Sequence, residues 1–308
     1  MQPKVYLNKN EEYRIKAGHL WAFSNEIKNV ENSPENGDLV ELYDFRNNFL
    51  GTGFYNKNSL ISIRLLSDKR IEDFYSFAEA KILRAYNLRK QFYPGRESFR
   101  MVFSESDFLP GLIIDKYNSS FVLQVYSFGM QKNLDKIVGI LKREFGAKNI
   151  FTKNKEYFRK LEGLPVENEI LSGSIENETI NDGAIKYLID FEKGHKTGFY
   201  FDQCDNRFFI ERIVKGKNVL DGFCNSGGFG LHAAKAGASF VTFVDSSSTE
   251  IENAKRNFEL NQLKIDSEFH NSDVFDYCNE CIKSEKKFDV VMIDPPAFAK
   301  SKKDLRAA

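Results

Sequence analysis

Alternating apolar and polar residues dominate the start of the chain and predict short β-strands. The runs 38–43 and 59–66 alternate with a period of two, and the alternation resumes over 49–54 after a turn-like segment at 44–48. Short strands joined by tight turns at this spacing favour a small barrel or sandwich. We therefore predict a small β domain over residues 1–68.

The pattern changes to a mixture of helices and strands between residues 69 and 180. Apolar residues recur at helical spacing over 73–92, behind capping residues, and predict one helix of about five turns. An α+β middle domain is predicted, and residues 163–183 are expected to form hairpins or a linker. Further elements are predicted as strands at 99–103, 112–114 and 121–126 and a helix at 133–145.

From about residue 185, strands and helices alternate regularly along the chain. Strands separated by helices at this interval imply right-handed crossovers and a parallel sheet. The fold class is therefore α/β for residues 181–308. The predicted strands are 219–221, 241–245, 267–270 and 288–293, and the predicted helices are 229–236, 250–261 and 274–284.

Composition narrows the setting in which the chain works. Of its 308 residues, 42% are hydrophobic and 29% are charged, the balance typical of a globular protein. No apolar run approaches the roughly 20 residues of a membrane helix, and the charged N-terminal segment excludes a secretory signal. Four cysteines are too few for a disulfide framework in a chain of this length. These features predict a reduced, cytoplasmic protein that does not bind membranes.

The net charge of zero means that any contact with nucleic acid must come from local basic patches. Two segments, 81–100 and 153–160, interleave cations with aromatic rings, and such residues can neutralise phosphates and stack on unpaired bases. Each segment can equally be a solvated face whose rings point into the core. The cations are Lys81, Arg84, Arg89, Lys90, Arg96 and Arg100 in the first segment, and Lys153, Lys155, Arg159 and Lys160 in the second.

Acidic residues stand at or just after the ends of the predicted parallel strands: Asp221, Asp245, Asp273 and Asp294. In an open parallel sheet, the ligand crevice lies beyond the carboxyl ends of the strands. A carboxylate at Asp245 can accept hydrogen bonds from both ribose hydroxyls of a nucleoside cofactor. Asp273 would accept one from an exocyclic amine such as that of adenine. We expect these acids to share one rim.

A glycine-rich turn follows the first of these strands. Residues 221–230 read Asp-Gly-Phe-Cys-Asn-Ser-Gly-Gly-Phe-Gly, and glycines let the backbone pass close to a ligand. The segment 228–233 also matches the G-x-G-x-x-A pattern of dinucleotide sites. A nicotinamide site would place its first glycine directly after the strand, whereas Gly228 comes several residues after Asp221. A dehydrogenase is therefore disfavoured.

The segment Asp294-Pro295-Pro296-Ala297-Phe298 follows the last predicted strand. Two prolines fix the backbone direction, so the turn can present Asp294 to the edge of a base while Phe298 stacks on its face. An isolated Asp-Pro-Pro would also suit a simple turn, and Ala297 stands where amino-group methyltransferases carry an aromatic residue. Together with the acids, this turn predicts a nucleic-acid methyltransferase.

These motifs, taken with residues 194–207 (Gly-His-Lys-Thr-Gly-Phe-Tyr-Phe-Asp-Gln-Cys-Asp-Asn-Arg), resemble a family of ribosomal RNA methyltransferases. Its members join a PUA domain and a middle domain to a Rossmann-like class I catalytic domain, and the best-known members make 5-methylcytosine in large-subunit ribosomal RNA. Residues 18–27 and 51–56 resemble the family's PUA region. The resemblance implies a PUA-like RNA-binding barrel over 1–68, a middle domain over 69–180 and a catalytic domain over 181–308.

The resemblance also implies S-adenosylmethionine as the cofactor and no metal. Asp294 and Phe298 would face the target base, and Gln203 and Arg207 would lie near the methionine end of the cofactor. Asn225 stands where relatives often carry an aromatic residue. The implied cofactor-binding set is Gln203, Arg207, Asp221, Phe223, Gly227, Gly228, Asp245, Ser246, Asp273 and Val274.

A cytosine carbon is a poor nucleophile, so C5 methylation in this family needs a cysteine thiolate to attack C6. The family carries that cysteine after a later strand, and we expect the chain to be a fragment without it and without about three strands. Cys204 and Cys224 are expected to pack, and the single C-x-x-C of Cys278 and Cys281 lacks the partners of a zinc site. No histidine is assigned to catalysis.

The sequence therefore predicts an RNA methyltransferase acting on C5 of a cytosine in large-subunit ribosomal RNA, with a homodimer as a candidate assembly. One alternative keeps the cofactor and methylates a base amino group or a guanine nitrogen, which needs no thiolate. A second alternative is a non-catalytic RNA-binding protein with a vestigial methyltransferase domain.

Overall fold

The computed structural model describes residues 2–192 and 197–296, which form two compact units. The first unit comprises Met1–Glu176 and Phe191–Gly198, and the second comprises Asn177–Asp190 and Phe199–Ala308. The chain thus contributes a short hairpin to the second unit and returns to the first before it enters the second again. The borders predicted at residues 68 and 180 stay predictions; residue 180 falls inside a strand of that hairpin.

The N-terminal part of the first unit is a six-stranded sheet with the order β2-β6-β5-β4-β1-β3. Strands β1 and β4 are parallel and the other pairs antiparallel. Alternate residues such as Val5, Leu42 and Ile63 are fully buried on one face, as the period of two predicts. Its elements are β1 (Lys4–Leu7), α1 (Glu12–Lys16), β2 (Trp21–Phe23), β3 (Ile27–Glu31), β4 (Leu39–Tyr43), β5 (Phe49–Tyr55) and β6 (Ile61–Ser67).

The rest of the first unit is a five-stranded sheet, order β11-β10-β9-β8-β7, with helices packed on it. The helix predicted over 73–92 is confirmed, and Asp73 caps it by accepting hydrogen bonds from the Tyr75 and Ser76 backbones. Three short elements were not predicted: α3, β10 and α5. The elements are α2 (Phe74–Phe92), β7 (Phe99–Phe103), β8 (Leu112–Tyr117), β9 (Ser120–Val125), α3 (Phe128–Lys132), α4 (Leu134–Phe145), β10 (Asn149–Thr152), α5 (Glu156–Glu162) and β11 (Ile170–Ser172).

The two sheets of the first unit share a core through Phe54 on β5. This ring belongs to the same buried cluster as residues of α2 and β8, and it lies against Gly129 on α3. A Cβ atom at Gly129 would stand 2.0 Å from the Phe54 ring, so only glycine leaves room for it. This close approach explains why the predicted first two domains form one compact unit.

The second unit is a Rossmann-like sheet with the order β16-β15-β14-β17, all of its strands parallel. The predicted strands and helices are confirmed to within two residues, and the α/β fold class is confirmed. The short helix α6 was not predicted. The elements are the hairpin β12 (Glu178–Asp182) and β13 (Ile185–Ile189), then α6 (Cys204–Ile210), β14 (Asn218–Gly222), α7 (Gly228–Lys235), β15 (Phe240–Asp245), α8 (Ser248–Leu260), β16 (Asp266–Asn271), α9 (Val274–Lys283) and β17 (Val290–Ile293).

Within residues 2–192 and 197–296, no helix combines the length and the apolar character that crossing a membrane requires.

Candidate active site

Three neighbouring strands of the second unit end level with one another. Gly222 at the end of β14 pairs with Val244 on β15 and with Ile293 on β17. Strands β14, β15 and β16 progress in one direction while β17 returns to the other side of β14, so the strand order reverses beside β14. Ligands of open α/β sheets bind at such a reversal. The structure therefore places Asp221, Asp245 and Asp294 at this edge, with Asp273 just after β16.

Asp221 lies beneath the glycine-rich loop rather than in the open crevice. Its side chain is almost fully buried, and Oδ2 accepts a hydrogen bond from the Gly230 backbone at 2.7 Å. Burial and the charges of Asp245 and Asp294 raise the pKa of Asp221 to about 7, against the opposing effects of the Gly230 bond and Arg207. This carboxyl thus holds the start of α7 in place.

Asp245 occupies the rim itself and is half-buried. Its Oδ2 accepts a hydrogen bond from the Asn225 backbone and its Oδ1 one from the Ser247 backbone, both at 2.9 Å. The carboxylate therefore joins the glycine-rich loop to the start of α8. Asn225 reaches this bond in a left-handed conformation, with φ of 49°.

Asp273 is exposed and caps α9, because its Oδ1 accepts hydrogen bonds from Phe275 and Asp276. The next residue, Val274, is buried in the core under the sheet edge. Ser246 is exposed, and its backbone oxygen accepts a bond from the Asn271 side chain at 2.9 Å. Asp273 is thus the exposed acid that follows β16, and Val274 packs in the core next to it.

The glycine-rich loop contains two positions that tolerate no larger residue. Gly227 has φ of 85°, a conformation that L side chains rarely adopt. At Gly228, a Cβ atom would lie 2.8 Å from Nε of Arg207. Phe223 stands at the start of this loop. Its ring meets the exposed ring of Phe275 edge-on, with the ring centres 6.1 Å apart.

Arg207 is buried behind the loop, in a group of charges that sequence reasoning missed. Its guanidinium pairs with Asp182 at 3.2 Å, donates to the Tyr200 carbonyl at 3.0 Å and lies 4.4 Å from the Phe199 ring. Burial raises the pKa of Asp182, but His232 and Arg207 outweigh it and lower the pKa overall. Alternation over 178–189 was the available signal for the hairpin that supplies Asp182.

Two further residues connect this hairpin with the loop: Tyr187 on β13, and Asn257 on α8, whose side chain also accepts a hydrogen bond from the Leu188 backbone. The Tyr187 hydroxyl donates to the Gly228 carbonyl at 3.2 Å, and the Asn257 side chain donates to the Ser226 carbonyl at 3.2 Å. Gln203 lies on a short 3-10 turn before α6 and accepts a bond from the Asn206 side chain at 2.7 Å. Of the two predicted residues, Arg207 therefore stands against the loop, while Gln203 lies just before the helix that carries Arg207.

The base-facing turn is described only in part. Asp294 is exposed directly after β17, and Pro295 and Pro296 follow it. Phe298, the predicted stacking ring, lies outside the described residues.

The four cysteines form no disulfide bond and lie in the second unit. Cys204, Cys224 and Cys281 are buried, and Cys278 is half-buried. Burial raises the pKa of Cys224 well above its usual value and also raises that of Cys278. These environments disfavour a thiolate at either position. Over residues 2–192 and 197–296, no group of three or more metal-binding side chains comes together.

The first basic patch is mostly engaged inside the protein. Arg89 pairs with Asp107 through both nitrogens, at 2.5 and 2.7 Å, and Arg100 pairs with the fully buried Asp115. Because Arg89 and Arg100 pair with acids of the protein itself, they are less available to bind phosphate groups. In the second patch, Arg159 is buried too, while Tyr157 and Phe158 are exposed.

These residues fit a nucleoside cofactor. The close approach of Arg207 to Gly228 leaves a side-chain-free cradle in the loop, and Asp245 stands at the adjacent strand end where ribose hydroxyls are bound in related folds. The exposed Asp273 lies beyond it, at the distal end of the same edge.

Comparison with known proteins places these features in a family. A family model described as a PUA-like domain matches residues 5–68, and one described as conserved hypothetical protein 95 matches residues 198–307. Among solved structures, a provisionally assigned methyltransferase complexed with SAH superposes with a TM-score of 0.82 at 24% identity, covering 98% of this chain and 78% of that one. A provisionally assigned SAM-dependent methyltransferase from Streptococcus mutans gives 0.80 at 23%, covering 99% and 81%. These likenesses establish the fold.

Sequence relatives extend over the whole chain. Ribosomal RNA large subunit methyltransferase I from Photobacterium profundum is 38% identical over 315 residues, and that from Pseudoalteromonas atlantica is 36% identical over 313 residues. In both cases the match covers 100% of this chain and 79% of the relative. At this identity and coverage, the chain belongs to the ribosomal RNA large subunit methyltransferase I family.

Proposed function

We propose that this chain binds S-adenosylmethionine and the target base in an enzyme that transfers a methyl group to C5 of a cytosine in large-subunit ribosomal RNA. The observation that carries the proposal is the level edge of β14, β15 and β17, where Asp245 and Asp294 stand beside the glycine-rich loop. The family's name specifies a large-subunit ribosomal RNA substrate, and the SAH-bound neighbour shares the fold. Bound there, the sulfonium cofactor supplies an electrophilic methyl group.

The residues of the rim divide the cofactor between them in this proposal. Asp245 accepts hydrogen bonds from the ribose hydroxyls, and Asp273 accepts one from the adenine amine. Gly227 and Gly228 let the backbone approach the amino-acid tail. Asp221 and Arg207 hold this loop from below and behind, so they act on the cofactor through the backbone. Asp294 and Phe298 receive a base that has left its helix.

Methylation at C5 sets a further chemical requirement. A thiolate adds to C6, C5 then accepts the methyl group, and loss of the C5 proton releases the thiolate. The burial of Cys204, Cys224 and Cys281 does not suit them to this step. C5 chemistry therefore needs a thiolate other than these three, and half-buried Cys278 on α9 is also a poor candidate.

The experiment that tests the cofactor site is calorimetric titration with S-adenosylhomocysteine. Asp245→Ala is expected to lose at least tenfold in affinity, about 1.4 kcal/mol, because it removes the ribose acceptor. Asp266→Ala is the matched control, since that exposed carboxylate starts β16 at the opposite end of the sheet. Urea denaturation of both variants separates a binding defect from a folding defect. Unchanged affinity in Asp245→Ala would remove this residue from the pocket.

The reaction itself is tested by nucleoside analysis of ribosomal RNA after incubation with labelled S-adenosylmethionine and a protein that contains this chain together with the family's cysteine segment. Labelled 5-methylcytidine supports the proposal. A methylated amino group or guanine nitrogen would instead favour the alternative chemistry at Asp294-Pro295-Pro296, which needs no thiolate. RNA binding with no label transferred would favour the non-catalytic alternative. An RNA substrate and four free cysteines favour action in the cytoplasm.

A further inference from the structure

Helix α5 has its polarity reversed. Its two buried side chains are charged, Arg159 at 1% and Glu162 at 2% exposure, whereas its apolar side chains Tyr157, Phe158 and Leu161 are 68, 44 and 54% exposed. A surface helix normally buries its apolar stripe and exposes its charges. A helix that does the opposite presents a surface for something other than its own core.

The buried charges hold this orientation in place. The Arg159 guanidinium donates to the Pro165 and Val125 carbonyls at 2.6 and 3.1 Å and to the Gln131 side chain at 2.6 Å. The Glu162 carboxylate is held as firmly. It accepts hydrogen bonds from the Ser59 hydroxyl at 2.8 Å, the Arg64 guanidinium at 2.7 Å, and the side chain of Asn56 and backbone of Phe128 at 3.1 and 3.4 Å. Rotating α5 to hide its rings would break these hydrogen bonds and leave the mostly buried Arg64 guanidinium without the Glu162 carboxylate, at a cost of several kcal/mol.

The exposed rings continue into a row. Phe158 lies 5.4 Å from Tyr157 and 5.2 Å from Tyr126, which follows β9, and the Tyr126 hydroxyl accepts a bond from the Lys155 backbone at 3.1 Å. We call Tyr126, Tyr157 and Phe158 the ring row. Tyr157 and Phe158 present exposed rings whose planes stand at 73° to one another, and the half-buried Tyr126 ring is tilted by 52° to that of Phe158. Each of the two exposed rings can take an unpaired base.

Cations flank the ring row on the same short segment. Lys155 and Lys160 are exposed, Lys153 is half-buried, and Glu156, which pairs with Lys160, is the one acid between residues 153 and 161. The exposed Glu167 and Glu169 act electrostatically on Arg159 and so lie near this segment. Lysines beside exposed rings suit a phosphate backbone whose bases are splayed onto the rings. A second copy of this chain is a poorer occupant, because a two-fold interface would set these lysines against their own counterparts.

We propose that the ring row and its lysines bind a single-stranded stretch of the RNA substrate. The surface lies between the segments matched by the two family models, 5–68 and 198–307, and so adds an RNA contact outside the PUA-like domain. The inference rests on the proposed function, because it assumes an RNA substrate.

Fluorescence anisotropy of the full chain with a labelled single-stranded RNA of mixed sequence, about 12 nucleotides long, tests this surface. Tyr157→Ala and Phe158→Ala are each expected to weaken binding about tenfold, within the range measured for loss of one stacked base. Tyr157→Trp is expected to retain binding. Lys155→Glu is expected to weaken binding several-fold and to reduce its salt dependence.

The controls separate this surface from general damage. Phe92→Ala removes another ring that is 69% exposed, and Lys142→Glu reverses another exposed lysine on α4. Both are expected to bind RNA normally, and every variant is expected to bind S-adenosylhomocysteine as the unaltered chain does. A Tyr157→Ala or Phe158→Ala protein with unchanged RNA affinity would overturn the inference.

The remaining outcomes distinguish this inference from the proposed function. If sedimentation shows a dimer that Tyr157→Ala dissociates while RNA affinity is unchanged, the surface binds a second copy and the inference is wrong. If the protein that contains this chain together with the family's cysteine segment methylates RNA and its ring variants do so with unchanged KM, the inference alone fails. If the unaltered chain binds no RNA, the proposed function and the inference both fail.

Discussion

The carboxyl of Asp221 illustrates how one side chain can differ from its expected role. It ends a strand, as a ligand-binding acid would, yet it is buried and bonded to Gly230. Burial, with the nearby charges of Asp245 and Asp294, raises its pKa to about 7. Its ionisation is therefore linked to the stability of the fold rather than to an open contact.

The sign of this linkage gives a prediction for pH. A carboxyl whose pKa is raised in the folded state contributes stability that is present below its unfolded pKa, near 4, and is lost as pH rises to about 7. Asp221→Asn keeps an acceptor for Gly230 but cannot ionise. We expect the variant to gain stability relative to the unaltered chain between pH 4 and 7, by at most about 4 kcal/mol, and then to keep a constant difference.

Urea denaturation from pH 4 to 8 measures this difference. Asp266→Asn is the control, since that carboxylate is exposed at the start of β16, at the opposite edge of the sheet from Asp221. It is expected to follow the pH profile of the unaltered chain. Parallel profiles for Asp221→Asn and the unaltered chain would contradict the role assigned to burial.

Helix α7 shows how an element depends on the absence of side chains. A Cβ atom at Gly230 would lie 2.1 Å from the Phe243 ring on β15, so the helix and strand approach closely only at a glycine. By contrast, a Cβ atom at Gly139 on α4 would meet no atom within 4 Å. The two helical glycines therefore respond differently to the same substitution.

We expect Gly230→Ala to destabilise the second unit by about 1–3 kcal/mol or more, because the added methyl group overpacks the contact. Gly139→Ala is expected to stabilise the first unit by about 0.5–1 kcal/mol, since alanine favours the helix. Equilibrium unfolding, followed over both transitions if the units unfold separately, provides the measurement. A neutral Gly230→Ala would show that α7 can move away from β15 at no cost.

In the first unit, Glu162 connects helix α5 with the N-terminal six-stranded sheet. This carboxylate on α5 accepts hydrogen bonds from Ser59 and from Arg64 on β6, and both oxygens are used. Loss of this buried carboxylate removes the 2.7 Å ion pair of Arg64 and leaves its longer contact with Glu105, at 3.7 Å. The sequence signalled a basic segment here and did not reveal this anchor.

We expect Glu162→Ala to cost about 3–5 kcal/mol of unfolding free energy, because it breaks a buried ion pair from one side. Glu156→Ala, at the exposed start of the same helix, is expected to change stability by less than about 0.5 kcal/mol. Chemical denaturation of the first unit measures both. Equal effects from the two variants would show that Glu162 is not the anchor.

The elements that depend on local pattern were predictable. The hydrophobic periodicity and the capping residues predicted helices α7, α8 and α9 and the strands before them. The positions of Asp221, Asp245 and Asp294 at strand ends could also be predicted, because they depend only on where each apolar run stops along the chain. The resemblance of 18–27, 51–56 and 194–207 to one family agrees with the relatives found. The site assignments themselves stay predictions.

Tertiary structure decided the features that join distant residues. These features are the pairing of Asp182 with Arg207, the return of the hairpin 178–189 to the second unit, and the reversed polarity of α5. The partners in the first and last of them are 25 and 106 positions apart. A local pattern cannot reveal them, because a buried charge has the same sequence signature as an exposed one until its partner is known. Hydrophobic period thus determined which segments fold, and burial determined which of their charges remain available to bind a ligand.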